Sequence, residues 1–348
     1  MGILILSLIA LIISFYLLNE VTDRFFVPSL DQVAGKLRLS DDASGATLMA
    51  AGSSAPELFI AIIALVSGDN FDIGVGTIVG SALFNLLVII GTIGLVQTSK
   101  IAWQPMFRDI IFYIISIALL YWAYSSGNIT MLHVGIFVGV YVVYIIAVVL
   151  WRHILPHNDS PNVVVEEEEE EDPNWKKHFH ILDLFIEKLF APKRYYGTNF
   201  FISILLIAAL SWVLVESAVV ISEALNIPKY IVGLTILAFG TSVPDMMSSL
   251  IVAKQGRGGM AVSNALGSNI FDILIGLGLP WLVLIFMENS TIHVDTGEIN
   301  THILVLLGSV VGMLVLFLLN RWRINKLIGT LMIATYITYL MYVVYSIS

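Results

Sequence analysis

The fold is decided by two related segments, GATLMAAGSSAPE at residues 45–57 and GLTILAFGTSVPD at residues 233–245. They align without a gap at an offset of 188 residues (245 − 57). A second related pair follows, GSALFN at residues 80–85 and GSNIFD at residues 267–272, at an offset of 187 (272 − 85). Agreement at so many glycine, proline, serine and acidic positions indicates an internal duplication of the chain.

Composition and long uncharged runs place these segments in a membrane protein. The 348 residues are 58% hydrophobic and 12% charged, with a mean hydropathy of +0.90, whereas soluble domains are about 25% charged. A membrane-crossing helix needs about 20 apolar residues. The runs predict an all-α protein with ten transmembrane helices, at residues 2–20, 44–66, 73–97, 109–126, 131–151, 199–221, 230–253, 259–287, 302–320 and 327–347.

The first of these runs has an alternative interpretation as a secretory signal peptide. It lacks a basic start and a small-residue cleavage site, and a charged loop follows directly, so a transmembrane helix is favoured. The chain contains no cysteine, which excludes disulfide and thiolate chemistry.

The distribution of basic residues predicts the orientation. With ten spans, every Lys and Arg except Lys229 falls in segments on one side of the membrane, and cytoplasmic segments carry the excess of basic residues. Both termini are therefore expected outside, with the loop at residues 152–198 in the cytoplasm. Because five spans separate equivalent motif positions, the second copy is expected to lie upside down relative to the first.

The predicted organisation is two inverted five-helix halves joined by a loop. Residues 1–151 form the first half, with its motif at 44–97, and residues 199–348 form the second, with its motif at 230–287. Inverted repeats of this kind are typical of secondary transporters, whose sites lie near the bilayer midplane where the repeats meet.

The motifs combine helix breaks with oxygen ligands. Pro56 and Pro244 cannot donate to the carbonyls four residues earlier, and loose carbonyls at membrane depth are tolerated only inside protein or beside water. Residues four apart on a helix share one face, as in the 81/85 and 268/272 pairs. The candidate site residues are Glu57, Asp245, Ser53, Thr241, Ser54, Ser242, Ser81, Asn85, Ser268, Asp272, Ala50 and Ala238.

This set of ligands is all oxygen, with three carboxylates and one amide. Calcium and similar hard cations take about 6–8 oxygens, whereas zinc and copper prefer nitrogen or sulfur. A role in helix packing alone is the alternative, but ionisable side chains within the membrane mark function by default.

Both motif pairs resemble the two alpha repeats of the cation/calcium exchanger superfamily, most closely those of the potassium-dependent sodium/calcium exchangers. The likeness covers residues 20–97 and 230–285. It implies that Glu57 and Asp245 bind calcium with the help of Ser53 and Thr241, and that the other candidates complete sodium and auxiliary sites. In that family an aspartate at position 272 accompanies potassium dependence, so potassium becomes a candidate third ion.

The resemblance predicts a calcium/sodium antiporter that works by alternating access in a plasma membrane or a bacterial or archaeal cytoplasmic membrane. Calcium/proton exchange, a passive cation channel and an intramembrane aspartyl protease built on Asp245 and Asp272 remain as rivals. The protease lacks its Gly-x-Gly-Asp context, and no other enzyme activity is indicated. Inorganic cations and lipid are the expected partners, with no cofactor, no nucleic acid and a monomer sufficient for transport.

The loop at residues 152–198 is too short for the folded calcium sensors of the larger exchangers, since a sandwich domain needs about 100 residues. Its acidic run at residues 166–171 is expected to be solvated and disordered, with a weak calcium-collecting role as the alternative.

Overall fold

A computed structural model describes residues 2–29, 32, 50–67, 70–154, 186, 188–190, 196–254, 258–288, 290–294 and 299–347. The predicted acidic run at residues 166–171, most of the 152–198 loop and the start of the first motif at residues 44–49 lie outside the described residues.

The described part of the first half is helical apart from two short strands. Its longer helices coincide with long runs of apolar residues. The elements are α1 (Gly2–Val21) with a π-helical turn (Thr22–Phe26), α2 (Ala50–Ser53), α3 (Ala55–Val66), α4 (Phe71–Phe84) with a π-helical turn (Asn85–Ile89), α5 (Ile90–Val96), β1 (Ser99–Lys100), α6 (Trp103–Ser125), β2 (Asn128–Ile129) and α7 (Met131–Ile154).

The second half repeats this order of helices and strands. The elements are α8 (Tyr196–Leu225), α9 (Lys229–Val232) with a π-helical turn (Gly233–Leu237), α10 (Ala238–Lys254), α11 (Gly258–Phe271) with a π-helical turn (Asp272–Gly276), α12 (Gly278–Glu288), β3 (Ile292–His293), α13 (Ile299–Leu319), β4 (Arg323–Ile324) and α14 (Lys326–Ile347). In both halves a π-helical turn begins at the last residue of the second motif, Asn85 or Asp272.

Eight stretches of helix among the described residues are long and apolar enough to cross a membrane. Two shorter apolar helices, Ala55–Val66 and Lys229–Val243, overlap the first motif of each half. The protein is therefore an integral membrane protein, and these two helices carry part of the candidate site.

The start of α6 corrects a predicted boundary. The predicted span at residues 109–126 starts at Asp109, whereas α6 begins at Trp103 and buries both Arg108 and Asp109. Arg108 Nη2 lies 2.7 Å from Asp109 Oδ1. Tyr144 and Ser263 donate hydrogen bonds to the same carboxylate, at 3.3 and 2.7 Å. Pairing removes the net charge that would otherwise keep these residues at the surface.

The short strands tie the halves together in two equivalent ways. Strand β1 pairs with β4, with Lys100 opposite Arg323, and β2 pairs with β3, with Asn128 opposite His293. Adding 193 to the residue numbers of β1 gives β3 (292 − 99), and adding 195 to those of β2 gives β4 (323 − 128). The two offsets together convert the β1–β4 register into the β3–β2 register: Ser99 opposite Ile324 becomes Ile292 opposite Ile129.

Glycines allow the motif helices to cross at backbone contact. A Cβ atom on Gly80 would collide with the carbonyl of Leu234, and one on Gly233 would collide with the carbonyl of Ile73. Small residues at such crossings let backbones approach closely in lipid, where no hydrophobic effect drives the helices together. The crossing of α4 with the π-helical turn at 233–237 places the two motifs side by side.

Aromatic contacts repeat between the halves as well. The rings of Phe84 and Tyr336 meet edge to face at 5.7 Å, and those of Phe271 and Tyr141 do so at 5.7 Å. The two phenylalanines directly precede Asn85 and Asp272. The tyrosines differ by the same 195 residues as β2 and β4 (336 − 141), so the correspondence extends into α7 and α14.

Candidate functional site

The first motif of each half bends differently. Ser54 interrupts the helix between α2 and α3 with φ −87° and ψ 5°, and Pro56 lies in the first turn of α3, where a missing N–H is tolerated. In the second half, α10 runs as one helix from Ala238 past Pro244, directly after a π-helical turn. The predicted break is present in the first half, at Ser54. In the second half, the equivalent segment around Pro244 is a continuous α-helix.

Hydroxyl groups connect the two halves at the centre of the molecule. Ser81 Oγ lies 2.8 Å from Ser242 Oγ, and Ser53 Oγ lies 3.2 Å from Ser268 Oγ. Each contact joins a first motif to the second motif of the other half. Four of the predicted site residues therefore meet in pairs across the boundary between the halves.

Two carboxyl groups are buried beside these hydroxyls. Glu57 and Asp272 are each 1% exposed and interact electrostatically with one another. Thr241 and Ser81 lie beside Glu57. Glu57 also occupies the first turn of α3, where the helix dipole favours a negative charge.

Asp245, the third predicted carboxylate, is half-buried and also interacts electrostatically with Asp272. Within the described part of the chain, no three acidic or histidine side chains are close enough to hold a metal ion by themselves. A cation at this site would therefore need hydroxyl, amide and carbonyl oxygens in addition to carboxylates.

Among the described residues, five buried side-chain oxygens at the site lack a hydrogen-bond partner within hydrogen-bond geometry. They are Ser54 Oγ, Glu57 Oε1 and Oε2, Asn85 Oδ1 and Asp272 Oδ1. Leaving a buried polar atom unpaired costs about 1–3 kcal/mol, and more when it is charged. Such a concentration of unpaired acceptors is unfavourable unless a ligand binds to them.

The two alanines predicted to offer carbonyls lie at the helix crossings. Ala50 faces Gly267, and Ala238 packs against Gly80, so each alanine meets the glycine that opens the second motif of the other half. The Ala50 carbonyl accepts hydrogen bonds from the Ser54 amide at 3.0 Å and from the Ser53 hydroxyl at 3.3 Å. It is thus already occupied in part.

The sequence prediction missed Asn269 and Tyr113. Asn85 Nδ2 donates to Asn269 Oδ1 at 3.0 Å, and Asn269 Nδ2 donates to the Tyr113 hydroxyl at 3.0 Å. The available signal was the difference between GSALFN and GSNIFD, because Asn269 stands where the first copy has Ala82. An extra amide in one copy of a repeat within the membrane was a candidate that the sequence could have offered.

Comparison with known proteins supplies the family. The sodium/calcium exchanger protein family matches residues 7–150 and 197–345, which is most of the chain. The chain belongs to the sodium/calcium exchanger family. It is 28% identical to sodium/potassium/calcium exchanger 4 of Mus musculus over 97% of this chain and 81% of that protein. It is 31% identical to sodium/potassium/calcium exchanger 5 of Homo sapiens over 97% of this chain and 82% of that protein.

Solved structures agree with this assignment at the level of the fold. The sodium-calcium exchanger NCX_Mj superposes with a TM-score of 0.59 at 23% identity, covering 97% of this chain and 98% of that one. The H+/Ca2+ exchanger CAX superposes with a TM-score of 0.73 at 12% identity, covering 98% and 84%. The family resemblance found in the two motifs is therefore confirmed over nearly the whole chain.

Proposed function

We propose that this exchanger is a secondary active antiporter that moves Ca2+ against Na+ by alternating access. The observation that carries the proposal is the set of five unpaired buried oxygens on Ser54, Glu57, Asn85 and Asp272. Carboxylate, amide and hydroxyl oxygens are the ligands that hard cations prefer. Bound cations would satisfy these acceptors, and exchange of one cation for another would keep them satisfied during transport.

Glu57 and Asp245 are the proposed calcium carboxylates, assisted by Ser53 and Thr241 and by the carbonyls of Ala50 and Ala238. Thr241 beside Glu57 supports this assignment. Sodium and auxiliary sites are assigned to the remaining polar residues, namely Ser54, Ser242, Ser81, Asn85, Ser268 and Asp272. Competition for shared carboxylates couples the ions, because the net charge of an occupied site must remain tolerable in a medium of low dielectric constant.

Potassium is proposed as a third ion through Asp272. The names of the two mammalian relatives include potassium alongside sodium and calcium. Asp272 stands where the first copy has Asn85, so the second half has one negative charge that the first lacks. An additional monovalent cation would balance that charge.

Ten transmembrane helices in two inverted halves are proposed for the whole chain, counting the two shorter apolar helices as spans. The strand pairs support inversion. Helix α6 separates β1 from β2 and has 23 residues, which rise about 34 Å and so cross the hydrocarbon core. The β1–β4 and β2–β3 pairs then lie on opposite membrane faces. Since the repeat relates β1 to β3, equivalent strands of the two copies lie on opposite faces.

The proposed motion is rocking of the long helices against the motif helices. Helices α1 and α8 pack along one another, and both also contact elements of the motif region. With basic segments placed in the cytoplasm, both termini are outside and residues 152–198 are inside. A monomer contains the complete site and is proposed to suffice for transport in a plasma membrane or a bacterial or archaeal cytoplasmic membrane.

The test is radiolabelled calcium uptake into proteoliposomes with sodium, proton and potassium gradients imposed independently. A sodium gradient alone, or together with potassium, should drive uptake. Uptake without any counter-ion gradient would instead identify a channel.

Calcium/proton exchange through the same site is the alternative function. It is favoured by the burial of Glu57 and Asp272, because carboxyl side chains within a membrane can carry protons as well as bind cations. Uptake driven by a proton gradient and indifferent to sodium would establish it in place of sodium exchange.

A further inference from the structure

We infer that Asn269 is a positioning residue that fixes the orientation of the Asn85 amide and thereby presents its oxygen to sodium. The inference rests on the proposed function, since sodium is taken as the ion that Asn85 binds. Asn269 is fully buried, lies in α11 beside Ser268, and is not one of the predicted ligands.

A backbone carbonyl sets the orientation of the Asn269 amide. The oxygen of Ala82 can only accept hydrogen bonds, and Asn269 Nδ2 lies 3.2 Å from it. Reversing the Asn269 amide would bring two acceptors face to face. The second Nδ2 proton is used as well, because Nδ2 donates to the Tyr113 hydroxyl at 3.0 Å while that hydroxyl donates to the Ala82 carbonyl at 3.3 Å.

Fixing Asn269 also fixes Asn85. With Nδ2 of Asn269 committed to Ala82 and Tyr113, its Oδ1 faces Asn85 and can only accept. Asn85 must therefore turn its own Nδ2 toward it, at 3.0 Å. No group in the described part of the chain then hydrogen-bonds to the buried Oδ1 atom of Asn85. The Ala82 carbonyl in α4 therefore fixes the orientation of Asn269, and Asn269 fixes that of Asn85, one turn later in the same helix.

The orientation of Asn85 matters because the NH2 group of an amide repels cations, whereas both oxygens of a carboxylate attract them. An Asn85 side chain free to rotate would present its NH2 group for part of the time, and sodium affinity would fall. Asp272, at the equivalent place in the second half, has two acceptor oxygens and needs no such control. This difference accounts for the amide at position 269, where the first copy has Ala82.

The test is a double-mutant cycle between Asn269→Ala and Asn85→Asp, with sodium-dependent calcium uptake measured in proteoliposomes. Asn269→Ala alone should raise the half-saturating sodium concentration roughly three- to tenfold, which corresponds to one net hydrogen bond. The maximal rate and the half-saturating calcium concentration should change less than about twofold. In the Asn85→Asp background the same substitution should not raise the sodium requirement, because a carboxylate presents oxygen in either orientation.

Tyr113→Phe is the matched control, since it removes a hydroxyl from the same network but leaves the Ala82 carbonyl to orient Asn269. It should leave the sodium requirement nearly unchanged. Asn269→Leu, which keeps the branched shape of the side chain without its polar atoms, provides a second variant if the alanine form does not fold. An unchanged sodium requirement in both Asn269 variants would overturn the inference, as would an equal rise in the Asn85→Asp background.

The four proteins of the double-mutant cycle (wild type, Asn269→Ala, Asn85→Asp and the double variant) should be purified in detergent and titrated with NaCl while their thermal unfolding is followed. Stabilisation by sodium should weaken in Asn269→Ala and not in Asn269→Ala combined with Asn85→Asp. This readout needs no transport. A wild-type protein that shows no sodium-driven flux but is stabilised by sodium through Asn269 would count against the proposed function while supporting the positioning role.

Discussion

The two halves of the molecule share their scaffold and differ where polar groups face one another. The edge-to-face contacts of Phe84 with Tyr336 and of Phe271 with Tyr141 have the same centroid distance. Directly after these phenylalanines, the first half has Asn85 and the second half has Asp272. The comparison teaches that the repeat conserves packing, while single polar replacements give each half its own chemistry.

A second pair of positions follows the same rule. Tyr144 in α7 donates a hydrogen bond to Asp109 at 3.3 Å, and Tyr339 in α14 lies 3.0 Å from His302 through its hydroxyl. The tyrosines differ by 195 residues, as β2 and β4 do. One half therefore holds a carboxylate where the other holds an imidazole, each fixed by an equivalent tyrosine.

Breaking the shared scaffold is expected to destabilise the whole protein. Gly80→Ala would drive a methyl group into the carbonyl of Leu234, and overpacking of this kind costs about 1–3 kcal/mol or more. We expect loss of the monodisperse peak in size-exclusion chromatography. Gly139→Ala is the control, because nothing lies within 4 Å of a Cβ atom there. A Gly80→Ala protein as stable as the control would show that the crossing is not tight.

Making the halves alike at the site should change ion dependence more than stability. Asp272→Asn gives the second half the amide of the first and removes the extra negative charge. We expect it to abolish any potassium stimulation of calcium uptake, measured with potassium present and absent on both sides of the vesicle. The potassium assignment fails if wild type needs no potassium or if the variant retains the requirement.

Breaking the ion pair peculiar to the first half should destabilise the protein strongly. Asp109→Asn removes the charge that faces Arg108 in a buried setting, and losing one partner of a buried pair costs about 3–5 kcal/mol. We expect a clear drop in the apparent melting temperature measured in detergent. A melting temperature equal to that of wild type would mean that the pair does not stabilise α6.

The equivalent tyrosines should contribute equal and smaller amounts. Tyr144→Phe and Tyr339→Phe each remove one hydrogen bond, worth about 1 kcal/mol, and should lower the melting temperature by a few degrees at most. Similar decreases in the melting temperatures of the two variants would support the structural equivalence of Asp109 and His302. A large shift in only one variant would break it.

Much of this arrangement could be predicted from sequence, because the motifs repeat as contiguous strings. The family, the membrane class and the pairing of motif hydroxyls with carboxylates follow from residues 45–57, 80–85, 233–245 and 267–272. The inverted order stays a prediction that rests on counting spans and basic residues.

Features that depend on distant partners were not predictable. Asn269 gains its meaning from Tyr113 and Asn85, which are 156 and 184 residues away. The predicted span starts at Asp109 because Arg108 is charged, but in the structure Arg108 pairs with Asp109, Ser263 of the other half donates a hydrogen bond to that carboxylate, and both charged residues are buried in α6. The first motif of the second half was predicted to break at Pro244, but α10 is continuous there, and the departure from α-helical geometry is the π-helical turn at 233–237.

The most direct test of the account compares two membrane-embedded glutamates. Glu57 is buried at the site, whereas Glu216 in α8 is exposed and faces a groove between α1 and α8. Sodium-driven uptake of radiolabelled calcium should be abolished by Glu57→Gln and preserved by Glu216→Gln at equal reconstitution. Retained uptake in the Glu57→Gln protein would contradict a cation site built on the unpaired oxygens between the two halves.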